Sequence, residues 1–473
     1  MADDTDFDTW LGALLSTADR RDEDDGVWAT HAGTTVTRAT MRAEVARARE
    51  TLAAHGITRG STVAVQILPS FTLLWSVFAL WCGGAQVMLF DPRLTPAETT
   101  RLLELCDPQF HLTSGAAAQV FTPFREECEV VVVRRKAGLP AQGDHRLIQF
   151  SSGSTGLPKV IGRTGSSLLA EVERFGNLAD MPGRGEQVLL LSSLAHSFGL
   201  IGGVLHALAV GATLHFSARL RPHDLLRVMA ERQVDAVFGV PVHYDLLSRV
   251  AAPPPLPRLR LAVCGGEMLA PEIFERFEER YRLRIGQAYG MTEVGIIATD
   301  LTGRDAPPAV GLPAPGILTA VVDGTLRVRL ADDPYLHADL DGRYVDRWLN
   351  TRDRCVVRPG SGVLEITGRA DSMVAIGGLK VDLTEVETAL AEHPAVTEVV
   401  VVYGEAIEAH LVVERQVPRA ELLNWCRERL SPYKIPKVFH FRAALPRTAN
   451  GKLVRNRELL HTARERSTPV VVR

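Results

Sequence analysis

The stretch that organises the rest of the chain reads Phe150-Ser151-Ser152-Gly153-Ser154-Thr155-Gly156-Leu157-Pro158-Lys159-Val160. The apolar run before it, residues 147–150, predicts a strand that leads into a polar loop. The two glycines can adopt positive φ, so that backbone N–H groups approach an anion, and Lys159 adds a mobile positive charge. Leu157 and Pro158 separate the second glycine from the lysine, so the loop is not a P-loop of the Walker type. The stretch suits a polyphosphate, although composition alone fits a Ser/Gly-rich surface linker equally well.

The composition fits a large globular protein and argues against several functions. A length of 473 residues, 46% hydrophobic and 23% charged, allows an extensive core. The net charge of −3 and the lack of a long basic run argue against a nucleic-acid partner. The six cysteines include no CxxC pair, which indicates neither a zinc site nor a disulfide framework. Residues 1–6 are acidic where an export signal is basic, so we expect a reduced, cytoplasmic protein.

One uncharged segment has the length of a membrane span. Residues 71–90 carry no charge, and about twenty apolar residues suffice to cross a bilayer. Gly83 and Gly84 divide the segment into a helical part and a short strand, and lysine or arginine anchors are missing at its ends. We therefore predict a buried helix and strand of a globular sheet, with no membrane contact.

Helical and strand patterns alternate from residue 36 to residue 288, which predicts parallel sheets covered by helices. This rhythm favours two doubly wound βα subdomains over one closed barrel. Between residues 311 and 365 short strands with turns predict a small β-barrel-like subdomain. After Asp371 the pattern changes to a compact α+β unit of about one hundred residues. The expected fold is therefore α/β, with a large N-terminal domain of residues 1–370 and a small C-terminal domain of residues 371–473.

Four further polar clusters follow at ordered intervals. Cys264-Gly265-Gly266-Glu267 and Tyr289-Gly290-Met291-Thr292-Glu293 each close a predicted strand, where α/β proteins bind ligands. In the second cluster the tyrosine offers a flat face for a base, the threonine a hydroxyl for a phosphate, and the glutamate a hard oxygen ligand for Mg²⁺. Thr351-Arg352-Asp353 places a carboxylate where a sugar diol could bind, and Asn450-Gly451-Lys452 places a lysine on a turn. Taken singly, each cluster also fits a helix cap, a turn or a solvated side chain.

Taken together, these clusters resemble the adenylate-forming superfamily of acyl- and aryl-CoA synthetases, peptide-synthetase adenylation domains and luciferase-like enzymes. The resemblance covers nearly the whole chain, and its most specific elements are residues 151–159, 289–293, 368–371 and 450–452. It implies a reaction in two steps. A carboxylate attacks the α-phosphorus of ATP to give an acyl-adenylate and pyrophosphate, and a nucleophile then displaces AMP.

The resemblance also implies roles for residues of the N-terminal domain. The β- and γ-phosphates of ATP are expected on Ser151, Ser152, Gly153, Ser154, Thr155, Gly156 and Lys159. The adenine is expected beside Gly265, Gly266, Glu267, Tyr289 and Gly290. The remaining expected contacts are Thr292 to the α-phosphate, Glu293 to Mg²⁺, and Asp353 with Arg369 to the ribose.

The resemblance further implies that the C-terminal domain is mobile. Lys452 is expected to bridge the substrate carboxylate and the α-phosphate, because an ammonium group and Mg²⁺ together offset the repulsion of two anions. Removing one such donor typically costs about 10²–10³ in rate. Asp371 stands at the hinge of the family, where backbone torsions absorb the change between conformers. In the second conformer residues 372–380 face the active site and admit a thiol, so Lys452 serves only the first step.

Three features depart from the patterns of the superfamily. Arg352 stands where the family usually has glycine, and Ala375 where it usually has lysine, four residues past the hinge. Amino-acid-activating relatives have an aspartate near residues 192–199, and this chain has none there. We therefore expect an aryl or medium acyl acid without an α-amino group, with His196 as a catalytic residue beside its carboxylate, although His196 also fits a satisfied core histidine. The expected acid pocket consists of His196, Gly199, Gly202, Gly203, Val240, Pro241, Tyr244 and Ala288.

The acceptor of the activated acid stays open at this point. No carrier domain follows Lys452, so the thiol of CoA, or the phosphopantetheine of a free-standing acyl carrier protein, is expected to arrive in trans. A few relatives use an amine, or adenylate a small oxyacid such as nitrite. An alternative of another class is a non-catalytic protein that binds nucleotide without turnover. A nicotinamide-dependent dehydrogenase fits the α/β rhythm but requires an early GxGxxG that the chain lacks.

Overall fold

The computed structural model describes residues 6–16, 26–114, 124–151, 159–337, 342–369, 373–446 and 457–462. The chain divides into two compact units. The first unit comprises Met1–Pro92, Cys106–Phe150 and Val160–Ala370, and the second comprises Arg93–Leu105, Ser151–Lys159 and Asp371–Arg473. The second unit thus begins its longest segment at Asp371 and takes in two short segments that no sequence pattern indicated.

The strands are numbered in chain order. They are β1 (Val27–His31), β2 (Thr34–Thr37), β3 (Thr62–Gln66), β4 (Gln86–Leu89), β5 (Phe110–Thr113), β6 (Val131–Arg134), β7 (His145–Ser151), β8 (Lys159–Thr164), β9 (Gln187–Leu190), β10 (Thr213–Phe216), β11 (Ala236–Gly239), β12 (Leu261–Gly265), β13 (Ile285–Met291), β14 (Gly295–Asp300), β15 (Ala309–Pro313), β16 (Thr319–Val322), β17 (Thr325–Arg329), β18 (Tyr344–Val345), β19 (Trp348–Val357), β20 (Leu364–Arg369), β21 (Met373–Ile376), β22 (Leu379–Asp382), β23 (Val396–Tyr403), β24 (Ile407–Val413) and β25 (Val438–Phe441).

The helices are numbered in the same way. They are α1 (Phe7–Leu15), α2 (Arg38–Ala54), α3 (Phe71–Cys82), α4 (Pro96–Cys106), α5 (Gly165–Gly176), α6 (His206–Val210), α7 (Pro222–Glu231), α8 (Pro241–Ser248), α9 (Pro271–Tyr281), α10 (Leu383–Ala391), α11 (Arg419–Arg429) and α12 (Arg457–Thr462). A π-helix, Phe198–Leu205, precedes α6, and a short 3₁₀-helix, Pro432–Lys434, follows α11.

The first sheet of the first unit has the strand order β6-β5-β3-β4-β7-β8. Strands β5, β3, β4 and β7 run parallel, whereas β6 returns antiparallel to β5. Helix α3 buries nearly all of its side chains, and the Ser70 side chain caps it by accepting a hydrogen bond from the Leu73 amide at 3.1 Å. The uncharged segment is therefore the buried helix and strand that its glycines predicted. Among the described residues, no helix combines the length and apolar character that a membrane span needs.

The second sheet of the first unit has the order β16-β17-β19-β20-β15-β14-β13-β12-β11-β9-β10-β1-β2, and β18 pairs with β19. The strands from β1 to β13 in this order run parallel to one another, whereas β14, β15 and the strands beyond them are antiparallel. The β-rich segment of residues 311–365 thus continues the second sheet through β14 and β15. Because parallel neighbours end at the same edge, this sheet gathers the segments that follow β12 and β13.

The second unit is built on the strand order β23-β24-β25. Strand β23 alternates its valines between the two faces of this sheet. Val399 and Val401 join the core that α10 and α11 form on one face. Val400 and Val402 contact Leu460 of α12 on the other face. Each face of the small sheet is therefore covered by helix.

The segment Arg93–Leu105 joins the second unit through buried charges. Lys434 Nζ lies 2.9 Å from Glu98 Oε1 and 2.9 Å from Glu385 Oε1. The backbone N–H of Ser431 donates to Glu98 Oε1 at 3.2 Å, and the Ser431 hydroxyl donates to Glu98 Oε2. All four side chains are buried, so the contact is a polar network inside this unit.

The predicted α/β fold class is confirmed, with a large N-terminal part and a small C-terminal α+β part. The predicted helices and strands between residues 36 and 288 occur within a few residues of their expected positions. Sequence patterns did not indicate α1, β1 and β2. Strand β1 pairs parallel with β10 and antiparallel with β2, and so extends the second sheet at the edge opposite β16.

Candidate active site

Strands β12 and β13 bring two of the predicted clusters together. They are parallel neighbours with Gly265 opposite Ala288, so both end at the same edge of the sheet. A Cβ atom on Gly265 would lie 2.9 Å from the ring of Phe198 and 3.1 Å from the Ala288 carbonyl oxygen, and Gly266 has a φ of +85°. Both positions therefore favour glycine, which leaves the strand end open to close approach by a ligand.

Burial makes the cysteine beside these glycines chemically inert. Cys264 is buried, and this burial, together with the negative charge of Glu267, raises the pKa of its thiol. A thiol of raised pKa is a poor nucleophile at neutral pH. The cluster 264–267 therefore contributes glycine backbone to the site and no covalent chemistry.

Tyr289 and Asp353 are in direct contact. The Tyr289 hydroxyl donates to Asp353 Oδ2 at 2.5 Å, although the two residues are 64 positions apart. The Asp353 backbone N–H donates to the Thr351 hydroxyl oxygen at 3.0 Å, and that hydroxyl donates to the Leu326 carbonyl at 2.8 Å. The structure thus brings together the residues expected to hold an adenine and a ribose. Arg369 lies opposite Asp353 in the register of β19 and β20.

Arg352 occupies a backbone conformation that favours glycine. Its φ is +60°, in the left-handed region that side-chain-bearing residues rarely adopt. Its backbone N–H donates to Asn350 Oδ1 at 2.8 Å, which helps to hold this conformation. The departure from the usual glycine therefore has a physical meaning: the chain keeps the left-handed backbone and accepts strain at Arg352.

Glu293 is buried in the turn between β13 and β14. The Tyr335 hydroxyl donates to Glu293 Oε1 at 3.0 Å, and Arg343 Nη1 lies 4.0 Å from the same oxygen. Burial and the negative charge of Glu293 raise the pKa of Tyr335, so the phenol stays protonated and can donate. Tyr335 and Arg343 were not identified from the sequence, because no motif marks them.

The donor set at this turn fits the Mg²⁺ that the superfamily implies. Mg²⁺ prefers hard oxygen ligands and is often held by one or two carboxylates together with substrate phosphates. Glu293 supplies a carboxylate and Thr292 a neighbouring hydroxyl. Arg343 offsets part of the carboxylate charge, so a metal here depends on the phosphates of the nucleotide for its remaining ligands.

A buried ion pair between Arg163 and Glu171 contacts the turn that carries Thr292 and Glu293. Arg163 Nη2 donates to Glu171 Oε2 at 2.7 Å, and Arg163 Nη1 lies 3.5 Å from the Thr292 carbonyl oxygen. Gly295 has a φ of +83°, and a Cβ atom there would collide with the Glu171 carboxylate. The pair was missed, although one signal existed: Glu171 interrupts the apolar stripe that Leu168, Val172 and Phe175 form along α5.

Gln149 positions the segment that carries His196. Its amide nitrogen donates to the Ala195 carbonyl at 3.0 Å, and its amide oxygen accepts from the Ser197 hydroxyl at 2.7 Å. The His196 backbone N–H donates to the Ser193 carbonyl at 3.3 Å, and the residue is half-buried. Because Gln149 lies on β7, this strand supports the segment on which the catalytic role of His196 was predicted.

Some of the residues predicted for the acid pocket pack in the interior, and others lie near the strand ends. Gly202 and Gly203 allow the π-helix to pack closely, since Cβ atoms there would lie 2.7 Å from Phe175 and from Leu190. The Tyr244 hydroxyl lies 2.7 Å from the Val263 carbonyl and 3.0 Å from the Val237 carbonyl, and this ring has no exposed surface.

The other predicted pocket residues lie nearer the strand ends. They are Gly199, against the backbone of Ser193; Val240 and Pro241, where α8 begins; and Ala288, beside Gly265. Phe198 stacks on Phe238 with ring centroids 5.7 Å apart. This aromatic pair was not predicted, and it adds apolar surface beside Gly265.

Several predicted residues are not described by the structure. Ser152, Gly153, Ser154, Thr155, Gly156, Asp371 and Lys452 lie outside the described residues, and so do the side chains of Ser151 and Arg369. Lys159 is the first residue of β8, and it is the only residue of that strand that belongs to the second unit. Ala375 faces Lys380 across the β21–β22 hairpin, so a lysine lies beside the position where the family usually has one.

Family models match both parts of the chain. The model described as AMP-binding enzyme matches residues 16–332, and the model described as AMP-binding enzyme C-terminal domain matches residues 385–452. Together these matches cover every predicted cluster from the Ser/Gly loop to Lys452, except residues 351–353 and 368–371.

Similar proteins include several ligases. A long-chain-fatty-acid–CoA ligase of Bacillus subtilis is 26% identical over 71% of this chain and 64% of its own length. The phosphinothricin tripeptide synthetase PhsC of Streptomyces viridochromogenes is 31% identical over 85% of this chain, but the chain spans only 41% of it. A benzoate–CoA ligase of Thauera aromatica is 29% identical over 85% of this chain and 81% of its own length.

Solved structures share the fold. An o-succinylbenzoate CoA synthetase of Bacillus subtilis has a TM-score of 0.81 at 23% identity, covering 97% of this chain and 98% of that one. An amide bond synthetase of Marinactinospora thermotolerans has a TM-score of 0.78 at 22% identity, covering 96% of this chain and 99% of that one. With the two family matches and the strand-end geometry, the conclusion is that this chain belongs to the AMP-binding enzyme family, within the adenylate-forming superfamily.

Proposed function

We propose that the protein is an AMP-forming acid–thiol ligase. It adenylates a carboxylic acid that lacks an α-amino group, an aryl or medium acyl acid, and then passes the acyl group to a thiol. The observation that carries this proposal is the contact of Tyr289 with Asp353 beside Gly265 and Gly266, with Glu293 in the adjoining turn.

In this proposal the nucleotide lies along the ends of β12 and β13. The face of Tyr289 stacks on the adenine, which the absence of side chains at Gly265 and Gly266 admits. Asp353 accepts hydrogen bonds from the ribose hydroxyls. Its contact with the Tyr289 hydroxyl fixes the position of the tyrosine ring relative to the carboxylate. Arg352, the residue before Asp353, keeps its left-handed backbone conformation in this arrangement.

The first step joins two anions. A carboxylate oxygen of the acid forms a bond to the α-phosphorus of ATP while the bond from that phosphorus to pyrophosphate breaks. Thr292 donates to an α-phosphate oxygen, and the ammonium of Lys452 bridges the carboxylate and the α-phosphate. Bound Mg²⁺ supplies positive charge to the phosphates, and Glu293 would hold it. In the second step the sulfur of a thiol attacks the acyl carbon, AMP leaves with the electrons of the C–O bond, and the thiol proton passes to solvent.

Two features support the class of acid. Residues 194–199 contain no carboxylate to pair with an α-amine. The neighbouring Phe198–Phe238 pair and Val240 are apolar. The Thauera aromatica relative is named for benzoate and CoA, which agrees with an aromatic acid and this thiol. The test below also examines a carrier protein and an amine as acceptors of the acyl group.

The test measures pyrophosphate release from ATP with a panel of benzoic, hydroxycinnamic, medium-chain fatty and amino acids. We expect release with aryl or medium acyl acids and none with amino acids. Adding CoA, a phosphopantetheinylated carrier protein or an amine, followed by mass spectrometry of the product, identifies the acceptor. Tight ATP binding without pyrophosphate release for any acid would support the non-catalytic alternative and overturn this proposal.

Lys452→Ala separates the two steps. We expect adenylate formation to fall by about 10²–10³, because a preorganised cation is lost, while thioester formation from a supplied acyl-adenylate stays near wild type. Lys437→Ala, which removes an exposed lysine of the same domain, is the matched control and should leave both steps unchanged. Equal loss of both steps in Lys452→Ala would contradict a role confined to adenylation.

A further inference from the structure

Three histidines and a glutamate cluster on one face of the small sheet, and none of them is a predicted catalytic or binding residue. They are Glu408 and His410 of β24, His440 of β25 and His461 of α12. One ligand atom from each lies within 4.8 Å of the others. We propose that these four side chains bind a divalent transition-metal ion of the zinc type, which ties α12 to the sheet.

The fold brings the four residues together from three elements. Glu408 and His410 are two positions apart on β24 and therefore point to the same face. The parallel register of β24 and β25 pairs His410 with His440, whose rings stack with centroids 4.5 Å apart. The ring of His461 meets both edge-on, at 5.6 Å and 5.2 Å. No spacing in the sequence indicated this convergence, since α12 begins sixteen positions after β25 ends.

The distances are close to those of a metal centre. Glu408 Oε2 lies 2.7 Å from His461 Nε2, 3.7 Å from His440 Nε2 and 3.9 Å from His410 Nε2. Bonds of 2.0–2.1 Å in a tetrahedral zinc site place ligand atoms about 3.3 Å apart. The three Glu408 distances differ from this spacing by roughly half an ångström. The four ligand atoms lie within 4.8 Å of one another, so metal binding requires the histidine rings to rotate toward a common centre.

His410 gives the strongest indication of a missing ligand. The residue has no exposed surface, and its Nε2 atom has no hydrogen-bond partner among the described residues. Buried polar atoms of native proteins are almost always satisfied. Glu408 Oε2 lies 3.9 Å from this nitrogen, which is beyond hydrogen-bond reach. A metal ion between these atoms would satisfy Nε2 once the ring proton moves to Nδ1 and Arg442, which donates to that nitrogen and to the Leu460 carbonyl, keeps only the contact with the carbonyl.

The surroundings orient the carboxylate and leave a path for the ion. Arg457 donates to Glu408 Oε1 at 3.0 Å and 2.7 Å, which turns Oε2 toward the histidines, as outer hydrogen bonds do at metal sites. The side chain of His461 is 36% exposed, so an ion can enter from solvent.

Charge limits the affinity of the proposed site. Arg442 Nη2 donates to the Leu460 carbonyl at 2.6 Å and lies 3.4 Å from His410 Nδ1. Together with Arg457 it places two positive charges near the cluster, against the single carboxylate of Glu408. We therefore expect weaker binding than at a cysteine-rich structural site. Imidazole ligands favour Zn²⁺, Cu²⁺, Ni²⁺ and Co²⁺ over Mg²⁺, so the site would not compete with the nucleotide for its metal.

The experiment uses the full chain, freed of metal with a chelator and titrated with Co²⁺ and with Zn²⁺. We expect about one Co²⁺ per chain with the visible absorption bands of a tetrahedral site, displaced by Zn²⁺, and a higher thermal unfolding midpoint with Zn²⁺ because the folded state binds the ion. His440→Ala and His461→Asn should each weaken binding at least tenfold. His223→Ala removes an exposed histidine of α7 and should not change it.

Two results would overturn the proposal: folded wild-type chain that takes up no Co²⁺ with a tetrahedral spectrum, or binding that His440→Ala and His461→Asn leave undiminished. His461→Asn retains a polar side chain at a partly exposed position of α12, so it is expected to disturb the fold less than His440→Ala. If a variant unfolds, the visible absorption spectrum of Co²⁺ added to the wild-type chain tests the proposal by itself. None of these readouts depends on adenylation activity, so failure here would leave the proposed function untouched.

Discussion

At the scale of single residues, Arg352 is the clearest conflict between side chain and backbone. A residue with a Cβ atom in the left-handed region costs about 1–2 kcal/mol, whereas glycine there is strained far less but loses about 0.5–1 kcal/mol in chain entropy. We predict that Arg352→Gly raises the free energy of unfolding by roughly 0.5–1 kcal/mol. Urea denaturation followed by circular dichroism measures the change.

Arg354→Gly is the matched control for this substitution. Arg354 is exposed on the same strand and is not among the residues with positive φ. Glycine in an ordinary strand position should destabilise by about 0.5–1 kcal/mol. The two substitutions should therefore have opposite signs, and a similar loss of stability from both would refute the account of strain at Arg352.

Asp353 carries the residue-scale prediction for nucleotide binding, which rests on the proposed function. Asp353→Asn keeps the shape of the side chain but removes the charge that would accept from a ribose. We predict that the Kd for ATP rises about tenfold, which corresponds to about 1.4 kcal/mol. Calorimetric titration measures it. Asp346→Asn, on an exposed turn before the same strand, should bind ATP as wild type does, and unchanged binding by Asp353→Asn would remove Asp353 from the site.

At the scale of elements, His215 connects three strands of the second sheet. On β10, its Nδ1 lies 2.7 Å from the Thr30 hydroxyl of β1, and its Nε2 lies 2.9 Å from Gln187 Oε1 of β9. The Gln187 amide nitrogen donates to the Gly185 carbonyl at 2.7 Å, so its oxygen faces the ring. Nε2 therefore carries the proton, and Nδ1 accepts from the threonine. Burial, with a smaller effect of Arg232, lowers the pKa of His215 to about 4.

This histidine predicts a pH dependence of stability. The unfolded chain takes up the proton near its usual pKa of 6.5, whereas the folded chain resists it down to about pH 4. The contribution of His215 to the free energy of unfolding is therefore fully present above pH 6.5 and is lost as the pH falls from 6.5 to 4. Between pH 7 and pH 5 the loss from this group should be about 2 kcal/mol.

The measurement compares urea unfolding at pH 7 and pH 5 for wild type and His215→Asn. The variant should start less stable but lose about 2 kcal/mol less between the two pH values. His55→Gln changes an exposed histidine and should follow wild type. An equal pH-dependent loss in wild type and His215→Asn would show that this ring does not cause the dependence.

At the scale of the whole molecule, a buried lysine organises the second unit around charges from distant parts of the chain. Lys434 lies between Glu98 and Glu385, and these pairs span 336 and 49 positions of the chain. Burial raises the pKa of Glu385. Burial would also raise the pKa of Glu98, but Lys434 and the Ser431 hydroxyl outweigh it and lower that pKa. The ammonium group of Lys434 therefore outweighs the effect of burial on the pKa of Glu98 but not on the pKa of Glu385.

We predict that Lys434→Met destabilises the second unit by about 3–5 kcal/mol, because two carboxylates stay buried without a cation. Lys437→Met, an exposed substitution three residues later, should change stability by at most about 0.5 kcal/mol. Adding Glu98→Gln and Glu385→Gln to Lys434→Met should restore part of the loss. Denaturation that resolves the transition of this unit checks the prediction, and a loss below about 1 kcal/mol for Lys434→Met would contradict it.

Much of the fold was predictable because it follows from local patterns. The uncharged run of α3 and its two following glycines indicated a buried helix and strand, and the structure confirms both. The antiparallel strands between residues 311 and 365 were expected to form a small β-barrel-like subdomain, and the structure adds that they join the second sheet through β14 and β15. Strand content is encoded locally, but which sheet a strand joins depends on partners far along the chain.

The sequence by itself determined the alternation of helices and strands, the family, and the clusters that close β12 and β13, because periodicity and motifs are properties of neighbouring residues. Only the tertiary structure decided that Tyr289 donates to Asp353, that Tyr335 and Arg343 meet Glu293, and that Arg163 and Glu171 support their turn. It also decided the meeting of Glu408 with three histidines. These contacts arise from strand order and register, which bring together side chains that no local pattern relates.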